Sequence, residues 1–182
     1  GEDRTVLSYG PTMDVLLNYD HEKRLENWSM MPGFSISLPR LTTLSLGYQE
    51  AYELYRDVGL RGHNTTVSLA TSWFSWLDFT GMYSQGIRSN YYPAEGLAPF
   101  PANSNNLSAT VTLWPQSHLR LDEIYYFTRL ATEPGLAHPQ SDDIFTNHLI
   151  RSKINYQFTP DYSFRAILDY NALLPNHSLV SS

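Results

Sequence analysis

The chain has 182 residues, enough for one domain, and carries a formal net charge of −6 without any basic run. This charge argues against nucleic-acid binding, because a phosphate backbone attracts clustered lysine and arginine. The chain has no cysteine, which excludes disulfide bonds, thiolate metal sites and cysteine nucleophiles. Apolar residues make up 42% and charged residues 16%, which is too apolar for disorder and low in charge for a soluble domain.

Segments that alternate apolar and polar side chains follow one another along the chain, with turn signals between them. A period of two is typical of β-strands with one apolar face, and no segment of helical period competes with it. The pattern predicts an all-β protein, an antiparallel up-and-down meander of about ten strands. In chain order, the candidates lie within residues 5–9, 13–19, 28–38, 44–54, 67–73, 77–83, 107–113, 119–127, 151–158 and 162–171.

The predicted connections alternate between short and long, as in outer-membrane barrels with short turns at one rim and long loops at the other. Aromatic residues concentrate beside both sets of connections, as in the belts at a lipid–water boundary. We therefore expect residues 1–182 to form a single, incomplete outer-membrane β-barrel domain. Short turns are expected near 10–11, 39–41, 74–76, 114–118 and 159–161, and longer connections near 20–26, 57–62, 89–104, 132–143 and after 173.

Residues 151–171, RSKINYQFTPDYSFRAILDYN, alternate most strictly and predict a hairpin with a three-residue loop, Thr159–Asp161. In that register Asn155 faces Arg165, and Arg151 faces Asp169, which is a favourable cross-strand ion pair. A slip of one residue would turn the charged side chains to the other face. Against lipid, each basic group would then cost about 2–4 kcal/mol at mid-depth.

The hairpin therefore has an apolar face and a charged face, and its function depends on which face is inside. In a membrane barrel the apolar face contacts lipid and the polar face lines the interior. Two residues, Glu50 and Glu123, fall on the apolar side, and Glu123 predicts either a bulge or a position near the rim. The polar face would select solutes in a pore or, as the favoured alternative, form a charge ladder that fills a narrow interior. The predicted lumen-facing polar residues are Arg120, Asp122, Arg151, Lys153, Asn155, Arg165 and Asp169.

No pattern predicts catalysis, a cofactor or a metal site. The six histidines lack ligand spacing, and no GxSxG nucleophile motif occurs. The loop 89–104, SNYYPAEGLAPFPANS, offers Tyr91, Tyr92 and Phe100 as contact candidates for a sugar or another partner. An ordinary external loop is the favoured alternative for this segment.

Residues 105–130 and 147–176 resemble the C-terminal region of a bacterial family of unknown function, and the rest of the chain is similar by pattern only. The signature is a hairpin of the form RSK-NYQFT followed by S-RAI--YN. Pro160-Asp161 stands where members often carry Arg-Glu, a conservative change of turn chemistry. In that family a carbohydrate-binding family 9-like domain precedes a membrane-associated β-barrel. The resemblance implies no catalytic residues, and it implies a fragment that lacks the front domain and the closing strands.

The expected function is therefore part of a bacterial outer-membrane β-barrel with an anchoring or transport role. Outer-membrane lipid would be its partner, and carbohydrate a further partner through the missing N-terminal domain. The alternative is a soluble all-β carbohydrate-binding module, whose apolar faces would be buried against each other. A hydrolase built on a barrel wall is the least favoured of the three.

Overall fold

The computed structural model describes residues 5–55, 58–133 and 142–179. These residues form one antiparallel sheet of nine strands in which each strand pairs with its neighbours in sequence. The all-β up-and-down meander is thereby confirmed, and the described sheet is not closed, because β1 and β9 are its two edges. The strands are Ser8–Tyr19 (β1), Leu25–Leu38 (β2), Thr42–Tyr55 (β3), Val58–Phe74 (β4), Leu77–Asn90 (β5), Phe100–Gln116 (β6), Leu119–Thr132 (β7), Asp143–Gln157 (β8) and Ser163–Pro175 (β9).

Within these ranges, no helix has the length and apolarity needed to cross a bilayer.

The first two predicted strands are a single strand, which makes the count nine instead of ten. Gly10-Pro11 was expected to form a turn, but β1 continues through both residues, and Pro11 pairs with Phe34 of β2. Proline is tolerated on an edge strand because its nitrogen can face away from the neighbouring strand without losing a ladder hydrogen bond. The Gly-Pro signal is therefore overridden by the pairing of β1 with β2.

Two of the predicted long connections are shorter than expected. The connection placed at 57–62 was wrong, because β3 and β4 remain paired up to Tyr55 and Val58. The connection placed at 89–104 shrinks to 91–99, because β5 extends to Asn90 and β6 begins at Phe100. Tertiary pairing thus continues through residues whose composition resembled a loop.

The register sorts the side chains into two faces, because direct cross-strand partners share a face. We call the face of the sheet that carries the predicted lumen residues the polar face, and the opposite face the apolar face. One row of the polar face reads Thr12, Gly33, Gly47, Thr66, Ser84, Asn106, Thr128, Asn147 and Leu173. One row of the apolar face reads Pro11, Phe34, Leu46, Val67, Tyr83, Leu107, Phe127, His148 and Ala172.

Glu123 lies on the apolar face in an unbroken part of β7, between Val111 of β6 and Ser152 of β8. Of the two alternatives predicted for this residue, the bulge is absent, because the β6–β7 register shifts only between Leu113 and Gln116. The Ser152 hydroxyl donates a hydrogen bond to the Glu123 carboxylate at 2.5 Å. A polar partner on the next strand thus accommodates the carboxyl group among apolar neighbours.

The sheet bends sharply where β4, β5 and β6 meet. A Cβ at Gly62 would lie 2.6 Å from a backbone oxygen of β5, and one at Gly86 would collide with the carbonyl of His63. By register, both missing Cβ atoms point to the polar face. Such crowding requires the sheet to curl toward that face, and Cα atoms of β4 and β6 approach within 8 Å. The polar face is therefore concave here, and the bend buries Asn64, Ser84 and Ser104.

A small apolar cluster closes the long-loop end of the polar face. Its outermost member is Leu179, in the turn after β9, whose backbone carbonyl accepts a hydrogen bond from Ala94 at 3.1 Å. This contact joins the end of the described chain to the β5–β6 loop. The other buried members of the cluster are Phe100, Ala102, Leu130 and Ile144.

Candidate functional site: a charged recess on the polar face

Six charged residues of the polar face come together on the last three strands, β7, β8 and β9. In one cross-strand row Thr112 of β6 pairs with Asp122 of β7, which in turn pairs with Lys153 of β8. In the row on the long-loop side, Arg151 of β8 pairs with Asp169 of β9. Adjacent strands lie about 4.8 Å apart, so side chains in one row are within reach of each other.

Asp122 is the most enclosed carboxylate of this group and has three partners. Arg120 donates to its Oδ1 from Nε at 2.8 Å, and the Thr112 hydroxyl donates to the same oxygen at 2.9 Å. The Lys153 ammonium lies 3.6 Å from its Oδ2. Both carboxylate oxygens of Asp122 are therefore engaged by groups of the chain itself.

Arg151 and Asp169 form a two-pronged ion pair, as the hairpin register predicted. Nε of Arg151 lies 2.6 Å from Oδ1 of Asp169, and Nη2 lies 3.1 Å from Oδ2. Both side chains are about half exposed, at 54% and 55%, so solvent screens their attraction. The carboxylate of Asp169, the second one of the group, is therefore engaged by Arg151.

Arg120 is held in place on two sides. Its Nε is bound to Asp122, and its Cζ lies over the ring of Trp114, 5.5 Å from the ring centroid. Stacking on an aromatic ring and hydrogen bonding through Nε together orient the planar guanidinium group. Trp114 lies within the predicted short turn 114–118, and the irregular register after Leu113 leaves no periodic signal for its contact with Arg120.

These side chains surround a recess of about 500 Å³ on the polar face. Six of the seven predicted lumen residues line it, and the seventh, Asn155, lies in register between Arg120 and Arg165. The strand register places all seven residues on one face of the sheet, as the alternation predicted. The recess is lined by Thr110, Thr112, Arg120, Asp122, Ile124, Arg151, Lys153, Arg165, Ile167 and Asp169.

The three loop contact candidates have different environments. Tyr92 is 75% exposed, whereas the Tyr91 hydroxyl donates to Glu53 of β3 at 2.6 Å and its ring meets Tyr55 edge-on at 5.2 Å. Burial, followed by the hydrogen bond to Glu53, raises the pKa of Tyr91. Phe100 is not a loop residue: it begins β6 and is buried in the apolar cluster, so its prediction as a contact residue was wrong. Its ring belongs to the same buried cluster as Leu179 of the turn after β9.

Tyr91 also borders a second cavity of about 320 Å³, on the polar face beside the bend. Glu53, Asn64 and Arg88 contribute polar side chains to its lining. The side-chain oxygen of Asn64 is buried there without a protein hydrogen-bond partner. This corner is polar, but its net charge is smaller than that of the recess.

Among the described residues, no group of three or more histidine, aspartate or glutamate side chains is arranged to hold a metal ion. The recess contains four cationic side chains and two carboxylates. Charged groups therefore dominate its lining.

No protein-family model matches the sequence, and neither a curated protein nor a solved structure matches it.

Proposed function

We propose that this chain is part of a bacterial outer-membrane β-barrel with an anchoring or transport role. The apolar face would contact lipid, and the polar face would line the interior. The resemblance of residues 105–130 and 147–176 to a family with a carbohydrate-binding front domain adds the proposal that the barrel serves carbohydrate handling.

The observation that carries the proposal is the exposure of the apolar face in a sheet of a single layer. Val15, Leu46 and Leu168, on three different strands, are exposed by 62%, 54% and 67%. Soluble proteins rarely leave a large contiguous apolar surface uncovered, because its contact with water is unfavourable. Lipid chains would cover these rows without a second protein layer.

Strand length also supports a membrane role. The strands contain 12–17 residues, whereas strands of soluble proteins average about 5–6. A tilted strand needs about 9–11 residues to cross the hydrocarbon core, so every strand is long enough to span it. The surplus residues would extend beyond the bilayer at the rims.

The test uses two neighbouring positions of β9 that differ in the face they occupy. Leu168 lies on the apolar face and Ile167 on the polar face, and both are well exposed, at 67% and 48%. Because the chain has no cysteine, Leu168→Cys and Ile167→Cys each allow a single environment-sensitive fluorophore to be attached. A second pair, Leu46→Cys and Ser45→Cys on β3, repeats the comparison in another part of the sheet.

After refolding into liposomes, we expect the labels at 46 and 168 to shift to the blue and to be quenched by lipid-attached quenchers. The labels at 45 and 167 should respond only to water-soluble quenchers. Equal responses from both members of each pair would refute the proposed orientation. A monomer that stays folded in plain buffer and does not enter liposomes would favour the soluble carbohydrate-binding module instead.

A further inference from the structure

We propose that the recess binds a small solute that carries an oxyanion group, a carboxylate, sulfate or phosphate. The proposed binding row is Arg120, Asn155 and Arg165, with Lys153 in the adjoining row. The inference names the solute class for the charged recess and rests on the proposed barrel for its biological setting.

The charge balance of the recess is the first argument. Four cationic side chains and two carboxylates line it, which leaves an excess of two positive charges. Both carboxylates are occupied, Asp122 by Arg120, Thr112 and Lys153, and Asp169 by Arg151. A cationic solute would therefore meet repulsion, whereas an anion would relieve the repulsion among the basic groups.

Arg165 is the second argument. Among the described residues, no carboxylate lies within ion-pairing distance of its guanidinium group, and the side chain is exposed to solvent. Its five N–H donors remain available for an oxyanion, which guanidinium groups bind in a two-pronged geometry. Arg165 is thus the basic residue of the recess that pairs with no carboxylate in the described part of the chain.

The alignment of donors is the third argument. Arg120, Asn155 and Arg165 are direct cross-strand neighbours on β7, β8 and β9, so the two guanidinium groups flank a side-chain amide. The two arginine Cα atoms are separated by two strand spacings, about 10 Å. The contacts of Arg120 with Asp122 and Trp114 orient its guanidinium while using only Nε. Its guanidinium group is therefore held in place while its terminal nitrogens can still donate to an oxyanion, which reduces the entropy cost of binding.

The size of the recess limits the solute. A volume of about 500 Å³ lies within the range of small-molecule sites, about 300–1,000 Å³, and suits a molecule the size of a monosaccharide. A sugar acid meets both requirements, since it combines this size with one carboxylate.

The experiment is an isothermal titration of the folded chain, in detergent micelles or in buffer, whichever keeps it folded. D-glucuronate is compared with D-glucose, which lacks the carboxylate, and sodium sulfate with sodium chloride at equal ionic strength. We expect glucuronate and sulfate to bind, and glucose and chloride to give no saturable heat. Equal binding of glucuronate and glucose, or no binding of either anion, would overturn the inference, and this comparison needs no variant.

Arg165→Gln should weaken glucuronate binding about tenfold or more, because it removes a charge-assisted hydrogen bond. Arg61→Gln is the matched control, because Arg61 is an exposed arginine on the apolar face, paired with Tyr52. Unchanged affinity in Arg165→Gln, or an equal loss in Arg61→Gln, would contradict the assignment of the row. Circular dichroism checks the fold of both variants.

The failure of this inference is distinguishable from the failure of the proposed function. If the labels report the proposed orientation in liposomes but the chain binds no anion, the proposed solute class is refuted and the proposed barrel is not. A chain that binds glucuronate through Arg165 in plain buffer but never enters lipid refutes the barrel and leaves the binding row in place.

Discussion

An arginine placed on the apolar face measures directly whether that face contacts lipid. Leu168 is the sixth residue of β9 and is 67% exposed, so its replacement creates no cavity and breaks no packed core. Asn171 lies three residues further on the polar face of the same strand and provides the matched position for the control, Asn171→Arg.

The position of Leu168 along β9 determines the expected magnitude. Leu168 lies five positions after Ser163, which corresponds to a rise of about 17 Å along the strand at roughly 3.4 Å per residue. With a strand tilt of about 35–45°, this becomes roughly 12–14 Å along the barrel axis, near the middle of an apolar band about 25 Å tall. An arginine facing lipid at this depth costs about 2–4 kcal/mol. An arginine facing an aqueous interior changes stability by only about 0.5 kcal/mol or less.

The assay is urea unfolding of the refolded chain in liposomes, followed by tryptophan fluorescence, for the unmodified chain and the two variants. With a urea dependence of about 2 kcal/mol per molar, Leu168→Arg should lower the unfolding midpoint by roughly 1–2 M. Asn171→Arg should leave the midpoint nearly unchanged. If both arginines have equally small effects, the apolar face lies in water and the reasoning is wrong. If Asn171→Arg is the costly variant, the two faces are reversed.

Three further predictions concern the bend, a turn and the ion pair. Gly86→Ala should destabilise the fold by about 1–3 kcal/mol in chemical unfolding, because its Cβ would collide with the backbone of β4. Gly47→Ala, with open space around its Cβ, should be neutral or slightly stabilising. The backbone N–H of Arg24 donates to the Asp20 carboxylate and lowers the pKa of Asp20. This hydrogen bond therefore stabilises the turn fully at any pH above the pKa of aspartate in the unfolded chain, and the stabilisation is lost as the pH falls through the lowered pKa of the folded chain. NMR amide shifts of the turn would follow this loss. A double-mutant cycle on Arg151 and Asp169 should give a small coupling free energy that decreases with added salt, because solvent screens the exposed pair.

Each of these has a result that contradicts it. Equal stability of the two glycine variants would mean that the sheet is not sharply bent between β4 and β5. If the amide shifts of the turn titrate above the ordinary pKa of aspartate, the pKa of Asp20 is not lowered and the backbone hydrogen bond does not stabilise its charged form. A coupling free energy that does not change with added salt would show that the ion pair is shielded from water.

The hairpin of β8 and β9 shows how far the sequence alone can lead. Strict alternation and the Thr-Pro-Asp turn predicted that Asn155 faces Arg165 and Arg151 faces Asp169, and both pairs occur in the structure. The backbone N–H of Phe158 donates to Tyr162 at 3.0 Å across the loop, as the predicted three-residue turn requires. Local pattern is sufficient here because a shift of one residue would exchange the faces of every side chain.

Glycine and proline misled the prediction because they have more than one structural use. Gly62 is required by the close approach of a backbone oxygen from β5, and Gly59 packs against the ring of Tyr52. Both were interpreted as part of a long connection, and Gly10-Pro11 as a turn. The residue types along one segment do not show whether a glycine ends a strand or allows the backbone of a neighbouring strand to come close.

By itself, the sequence determined the strand periodicity, the polar and apolar faces, and the membership of six charged side chains in one group. These properties depend on the alternation of side chains along each strand, which is local. Only the tertiary structure decided which carboxylates are occupied, that Trp114 supports Arg120, that Phe100 is buried, and that Arg165 has no carboxylate partner among the described residues. These properties depend on the curl of the sheet and on contacts between strands, and residue spacing along one chain does not encode either of them.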